Sequence, residues 1–453
     1  VETLSKRQHI RETINLALPL IATQLGHVLT SMVDNLFLGQ LGKTEQAAGI
    51  SANGIFVLLL VFCIGMSYAS TPLVASAHMN NNLKEKTALF KNSLVLNLVV
   101  AILAFVVLFF MTPLMDKMDQ PADVVELSKP FFDVLVFSMI PVSLFFACKQ
   151  YAEGLSNTKA AMYISIVGNL FNIVLNYGLI YGKFGLPEMN YMGSAWATFF
   201  ARCFMGGAFL IYIFYNKNTK EIRKYFKEVN VSFKTIKPLW KIGINSGMQF
   251  TFEVAAFVIA LFMAGQFGKE QIDAHGIAIS LASFTYMFAS GISSAATIRV
   301  GNFSGLKRRD EVDRAGHMGI FLVLLSMGFF AILFVFFNRL FASMFTGDEA
   351  ILHLSAQLLI IAAFFQLFDG LQVVSIGILR GMEDVKFPTY ITLLGYWIIA
   401  LPLAYVLGFV FKLEVIGIWY ALSFSLVFVG VALYLRFRYL IRKGVINNIS
   451  EKV

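Results

Sequence analysis

The segment LVLNLVVAILAFVVLFF at residues 94 to 110 carries no charged side chain and neither Gly nor Pro. A strand with one wet face would alternate in polarity with a period of two. This run does not alternate, so it reads as a helix in apolar surroundings. About 20 apolar residues suffice to cross a bilayer. Such runs occupy residues 14 to 38, 47 to 77, 92 to 112, 128 to 150, 159 to 182 and 192 to 215. Six more lie at 240 to 264, 274 to 300, 315 to 338, 350 to 379, 388 to 411 and 415 to 438. The fold class that follows is an all-α polytopic membrane protein of twelve transmembrane helices. The first run is long and follows a charged segment, so it is expected to be a retained span and not a cleaved leader.

Composition agrees with that solvent. Hydrophobic residues make up 58% of the chain and charged residues 14%, with mean hydropathy +0.72. A soluble domain carries roughly 45 to 50% apolar and about 25% charged residues. The charges are placed asymmetrically. With the amino terminus inside, 28 of the 36 Lys and Arg face the cytoplasm, seven face outward, and Arg202 lies within a span. Translocation leaves that bias on short loops, so both termini are expected to be cytoplasmic. The net charge of +9 then reflects topology and contact with anionic lipid, and no basic cluster interleaved with aromatics suggests nucleic acid. Residues 216 to 241, NKNTKEIRKYFKEVNVSFKTIKPLWK, hold eight basic and two acidic residues. The stretch reads as a linker, dividing an amino-terminal lobe (1–215) from a carboxy-terminal lobe (240–453) across a basic cytoplasmic segment at 216–239.

The two lobes repeat each other. GQLGK at 39 to 43 returns as GQFGK at 265 to 269, 226 positions later. At that offset Gly65, Ser67, Ala69, Thr71 and Val74 meet Gly291, Ser293, Ala295, Thr297 and Val300; at 227, Gly154, Lys159, Tyr163 and Gly168 meet Gly381, Lys386, Tyr390 and Gly395. Fixed-period self-similarity is the mark of duplication. Six spans return the chain to its starting side, so the copies are expected to be parallel repeats, pseudo-symmetric six-helix bundles related by an axis along the membrane normal. That arrangement is typical of transporters.

Catalytic equipment is not visible. Cys63, Cys148 and Cys203 lie in or beside apolar spans without metal-like spacing, and the six histidines are scattered singly. There is no phosphate cradle, zinc pattern or nucleophile elbow. The expensive residues are carboxylates inside spans: Asp34 in TSMVDNLFLG, Glu253 in MQFTFEVAAF and Asp369 in FFQLFDGLQVV. Counting about 1.5 Å per residue, Asp34, Asn176 and Thr198 reach similar depths, roughly 8 to 9 Å from the outer ends of three helices. Asn172 precedes Asn176 by one turn on the same face. Such oxygens suit a hard cation or a proton, although the two Asn could equally bridge helices by hydrogen bonds. Glu253 and Asp369 both fall near the midplane, where they could bind a proton, a cation or a cationic ligand. In register, Asp34 falls opposite Ala260, Glu253 opposite His27, and Asp369 opposite Val142, so the acids are not duplicated.

The segments VDNLFLGQLG, LFNIVLNYGLIYGKFGLPE, TFEVAAFVIALFMAGQFG and DGLQVVSIGILRGMEDVKFP resemble the multidrug and toxic compound extrusion (MATE) family, NorM-type bacterial branch, and the similarity covers essentially all twelve spans. The resemblance implies a V-shaped, monomeric transporter in a bacterial inner membrane. It would export small amphipathic, often cationic, organic compounds by alternating access, in antiport with Na⁺ or H⁺ and without another cofactor. It matches Asp34, Asn172, Asn176 and Thr198 to an amino-lobe cation site, and Glu253 and Asp369 to a carboxy-lobe cation or substrate site. One departure is Phe365, where some NorM-type proteins carry Tyr one turn before the Asp of the tenth span. Phenylalanine supplies no oxygen ligand. Two other readings remain. A lipid-linked precursor flippase of the same superfamily would be expected to line its cavity with several Arg or Lys, and an intramembrane enzyme would need a nucleophile and base or a metal motif.

Overall fold

The computed structural model describes residues 4–117, 120–216, 219 and 222–444. Part of the basic linker, at 217, 218, 220 and 221, and the carboxyl tail from 445 lie outside the described residues. The first repeat comprises α1 (Lys6–Leu41), α2 (Lys43–Ser67), α3 (Ser70–Met79), α4 (Leu83–Met111), α5 (Ala122–Phe137), α6 (Met139–Gly154), α7 (Thr158–Tyr181) and α8 (Met192–Tyr215). A short α9 (Ile222–Phe226) follows. The second repeat comprises α10 (Phe233–Gly265), α11 (Lys269–Gly305), α12 (Arg309–Ser343), α13 (Glu349–Gly381), α14 (Lys386–Leu393), α15 (Leu401–Tyr405) and α16 (Glu414–Lys443). Among the described residues, eleven helical segments are long and apolar enough to cross a membrane, and α5 with α6, bent by 41°, makes a twelfth if the pair is one span.

The two repeats break their helices in different places, and a proline sits at each of those breaks, although α1 and α5 run on through Pro19 and Pro130. Pro72 and Pro141 have no N–H to donate to Tyr68 and Phe137, four residues back, and their rings crowd those carbonyls. The chain accordingly turns at Tyr68–Ala69 and at Ser138, and each proline becomes the third residue of a new helix, where an N–H would be orphaned anyway. Their counterparts Ile298 and Phe368 impose no such break, and α11 and α13 run on through them. In the second repeat the interruption moves to Pro402. It is flanked by π-helical turns at Leu394–Ala400 and Val406–Val410, whereas α7 is uninterrupted at the equivalent Leu175. The wider turn re-pairs backbone groups that the proline would strand.

Duplicated sequence produces duplicated contacts. Thr71 Oγ1 donates to the Gln150 carbonyl at 3.2 Å, and Thr297 Oγ1 to the Gly377 carbonyl at 2.8 Å. A Cβ on Gly154 would lie 2.7 Å from Val74 Cβ, and one on Gly381 would lie 2.9 Å from Val300 Cβ. Small residues let the helix backbones meet, as membrane packing favours. Four outward positions also recur: Val99, Leu103, Val106 and Phe110 on α4, and Leu325, Phe329, Ile332 and Phe336 on α12, are all exposed. Apolar stripes left bare on both helices suit a lipid-facing surface.

Residues 22–247 form one compact unit, and 248–444 with 4–21 form the other. The boundaries fall within α1 and α10. Gly65 packs on Gly247 in the first unit, and Gly291 packs on Ile21 in the second, which is the same pair of repeat positions.

Candidate functional site

In the unit built from residues 22–247, three helices bring polar groups together. Asn157 caps α7, accepting from the Ala160 N–H at 3.4 Å, and Gly182, with φ 63°, ends it in the left-handed conformation that glycine adopts without strain. The regular turn between them places Asn172 and Asn176 one above the other. Asn176 Nδ2 donates to Asp34 Oδ1 at 2.8 Å, and to the Asn172 carbonyl and side-chain oxygens at 3.1 Å each. Asn172 Nδ2 in turn reaches Thr198 Oγ1 at 3.5 Å. All four residues selected from the sequence therefore form one connected chain across α1, α7 and α8. Asn176 is fully buried, and its Oδ1 has no hydrogen-bond partner. A buried acceptor left open costs about 1 to 3 kcal/mol, so it is a natural place for a cation or proton donor.

Two features frame this cluster. A Cβ on Gly26 would come within 2.7 Å of Asn169 Nδ2, so α1 and α7 approach closely one turn inside Thr30. Arg202, one turn after Thr198 on α8, lies over the Phe56 ring at 4.8 Å and donates to Ser138 Oγ.

In the other unit, Glu253 on α10 and Asp369 on α13 face one cavity of about 380 Å³. Its walls include Phe250, Phe257, Tyr286 and Phe365, with His275 at one side. Both carboxylates are over nine-tenths buried. Glu253 Oε1 accepts from Gln372 Nε2 at 3.3 Å and from Tyr396 Oη at 3.5 Å, while Gln372 Nε2 also donates to Tyr396 Oη at 2.9 Å. Asp369 makes no hydrogen bond among the described residues and lies open to the cavity. One acid is thus anchored by two neutral partners and the other is free to meet a ligand. Phe365 brings no oxygen, but it is a buried wall of the cavity and packs on Trp419 at 5.4 Å.

Three contributors were missed in the sequence. Gln372 follows Asp369 by three residues, so helical spacing alone could have placed it on the same face. Tyr396 lies in the π-helical stretch before Pro402, and nothing in the run LGYWIIA says which way its hydroxyl turns. His275, a wall of the cavity, accepts the Trp419 indole N–H on Nδ1 at 3.1 Å, which leaves its ring proton on Nε2. As a lone histidine in an apolar span it gave no signal. Among the described residues, no group of three or more His, Cys, Asp or Glu could hold a metal ion. Any cation here would be held mainly by amide and hydroxyl oxygens around a single carboxylate, or by the Glu253 and Asp369 pair.

A family model described as MatE matches residues 19–178 and again 246–406, so the model itself reads the chain as two copies. A probable multidrug resistance protein NorM from Pseudomonas putida is 29% identical over 441 residues, covering 96% of this chain and 95% of that protein. The multidrug resistance protein NorM of Photobacterium profundum is 28% identical over 402 residues, covering 89% and 88%. Among solved structures, a eukaryotic MATE transporter superposes with a TM-score of 0.87 at 17% identity, covering 97% of this chain and 98% of that one. An outward-facing multidrug resistance MATE family transporter of the MOP superfamily superposes with a TM-score of 0.86 at 16% identity, covering 98% and 99%.

Proposed function

The chain belongs to the MatE family, and from that premise we propose that it is a secondary multidrug exporter of a bacterial inner membrane, exchanging organic cations for Na⁺ or H⁺ by alternating access. The observation that carries this reading is the pairing of Glu253 and Asp369 on one aromatic-walled cavity. An amphipathic cation is attracted to both carboxylates and gains further from aromatic faces. Neutralising either acid with an entering cation weakens that hold, which is the differential affinity an exchanger needs. The relatives named as multidrug resistance proteins point the same way.

Asp34, Asn172, Asn176 and Thr198 are proposed as the cation-coupling site of the amino lobe, and Glu253 and Asp369 as the coupling and substrate site of the carboxy lobe. The lobes in this proposal are residues 1–215 and 240–453, joined by the basic linker, in a monomer with both ends cytoplasmic. A tenfold ion gradient supplies about 1.4 kcal/mol, and 100 mV adds about 2.3 kcal/mol per charge moved. One-for-one exchange with a monovalent cation moves no net charge and forgoes the second contribution. Two separate acid clusters give the chain the means to couple a second ion.

The test is efflux of a fluorescent organic cation from proteoliposomes under an imposed Na⁺ or H⁺ gradient, with wild type, Asp34→Asn and Asp369→Asn. The wild type should respond to one gradient and each variant should lose that response. Normal export by both variants would overturn carboxylate coupling. Hydrolytic or transferase activity lost with Glu253→Gln would favour an enzyme instead.

A further inference from the structure

A second cavity, of about 460 Å³, lies in the 22–247 unit beside the start of α4 and the end of α6. His78, Lys86, Tyr151, Asn157, Tyr212 and Thr219 are among its walls, and no carboxylate is among the described lining residues. The wall is also short of partners. Tyr151 is fully buried, its ring tilted against Phe90 with centroids 4.5 Å apart, yet its Oη has no hydrogen-bond partner among the described residues. Thr219 Oγ1, on a residue 5% exposed, and His78 Nδ1 are buried and unpartnered as well. Lys86 is half-buried, and none of the ion pairs among the described residues involves it. Native proteins leave few such atoms unsatisfied, so several around one cavity call for a ligand.

The second repeat serves as an internal control. At offsets of 226 and 227, Lys86, Asn157 and Tyr212 correspond to Val312, Asp384 and Tyr439. There Asp384 is ion-paired with Arg436 at 2.7 Å, and the guanidinium lies over Phe387 and Tyr439 at 4.9 and 5.7 Å. The second repeat thus carries its own anion at this place and puts a buried valine where the first has Lys86. The first repeat has an amide in place of the acid, Phe209 in place of the arginine and a lysine in place of the valine, so among the described residues its cation has no matching acid at this place.

We propose that this cavity binds a phosphate-bearing anion, with the phosphate oxygens between Lys86 and His78 and within reach of the Tyr151 and Thr219 hydroxyls. Charge-assisted bonds from Lys and hydroxyl donors are the usual means of holding such a group. Lys86 belongs to the first turns of α4, which also carry Lys84 and Lys91, and Lys91 holds the segment after α8 in place through the Phe226 and Val229 carbonyls at 3.1 and 2.8 Å. The phosphate belongs either to an anionic phospholipid of the inner leaflet or to a free anion from the cytoplasm. Neither depends on the transport reading.

Binding is measured by the shift in unfolding temperature of the full chain in neutral detergent, titrated with inorganic phosphate and separately with short-chain phosphatidylglycerol. Lys86→Gln and His78→Gln should weaken the response about tenfold, the loss expected for one charge-assisted bond. Lys86→Arg should restore it, and Lys84→Gln, at an exposed neighbour, should leave it unchanged. Lys86-dependent binding of both probes assigns the site to the phosphate group itself, and binding of phosphatidylglycerol alone assigns it to the lipid headgroup. An equal response of wild type and Lys86→Gln to each probe, or no response to either, overturns the proposal.

Discussion

Asn176 donates to the carboxylate of Asp34 at 2.8 Å across 142 positions of sequence. The same amide is bonded to Asn172, so the acid on α1 is oriented by a pair of residues on α7. Asn176→Ala would strip Asp34 of its donor. A hydrogen bond to a charged group is worth about 1.5 to 3 kcal/mol, which predicts a loss of tenfold or more in apparent affinity for the coupling ion. Ion-dependent stabilisation of the purified protein measures it, and an unchanged midpoint would remove Asn176 from the site.

Asp369 has no hydrogen bond among the described residues, whereas Glu253 has two neutral partners. Asp369→Asn should therefore weaken binding of tetraphenylphosphonium by about tenfold or more, through loss of attraction in a low-dielectric cavity. An uncharged aromatic of similar size should bind as before. Equal losses for both ligands would mean that the cavity had collapsed.

Tyr396→Phe removes one hydroxyl from the triangle of Glu253, Gln372 and Tyr396 while keeping the ring. The expected cost is about 1 kcal/mol of stability, the net worth of an ordinary hydrogen bond, with a several-fold fall in efflux rate. Normal efflux with lowered stability would restrict the hydroxyl to a packing role.

Gly65 and Gly291 sit where helix backbones touch. A Cβ on Gly65 would lie 2.5 Å from Gly247 Cα, and one on Gly291 would lie 2.8 Å from Ile21 N. Gly65→Ala and Gly291→Ala should each destabilise by about 1 to 3 kcal/mol, because a backbone cannot rotate out of the way as a side chain can. Gly54→Ala, where nothing lies within 4 Å, is the control and should be neutral or stabilising in helix propensity. Thermal unfolding in detergent compares the three.

The architecture was legible in the sequence because a bilayer leaves few solutions. An unbroken apolar run must satisfy its backbone internally, so LVLNLVVAILAFVVLFF could only be helical. The repeat was legible too, since GQLGK and GQFGK mark equivalent helix ends and Val74 and Val300 meet equivalent glycines. Helical spacing placed Asn172 and Asn176 on one face from sequence alone. The breaks at Ser138 and before Pro402 were less legible, since a proline says that a helix is disturbed but not whether the chain bends or widens its turn.

What the sequence determined by itself was local: which segments are helical, which positions share a face, and where an ionisable group must be bought with a function or a partner. The tertiary structure decided which helix each of those groups meets. Tyr396 and Gln372 close on Glu253, and Trp419 fixes the ring proton of His275, because packing sets the rotation of a helix about its axis. Hydropathy is nearly indifferent to that rotation when all sides of a span are apolar.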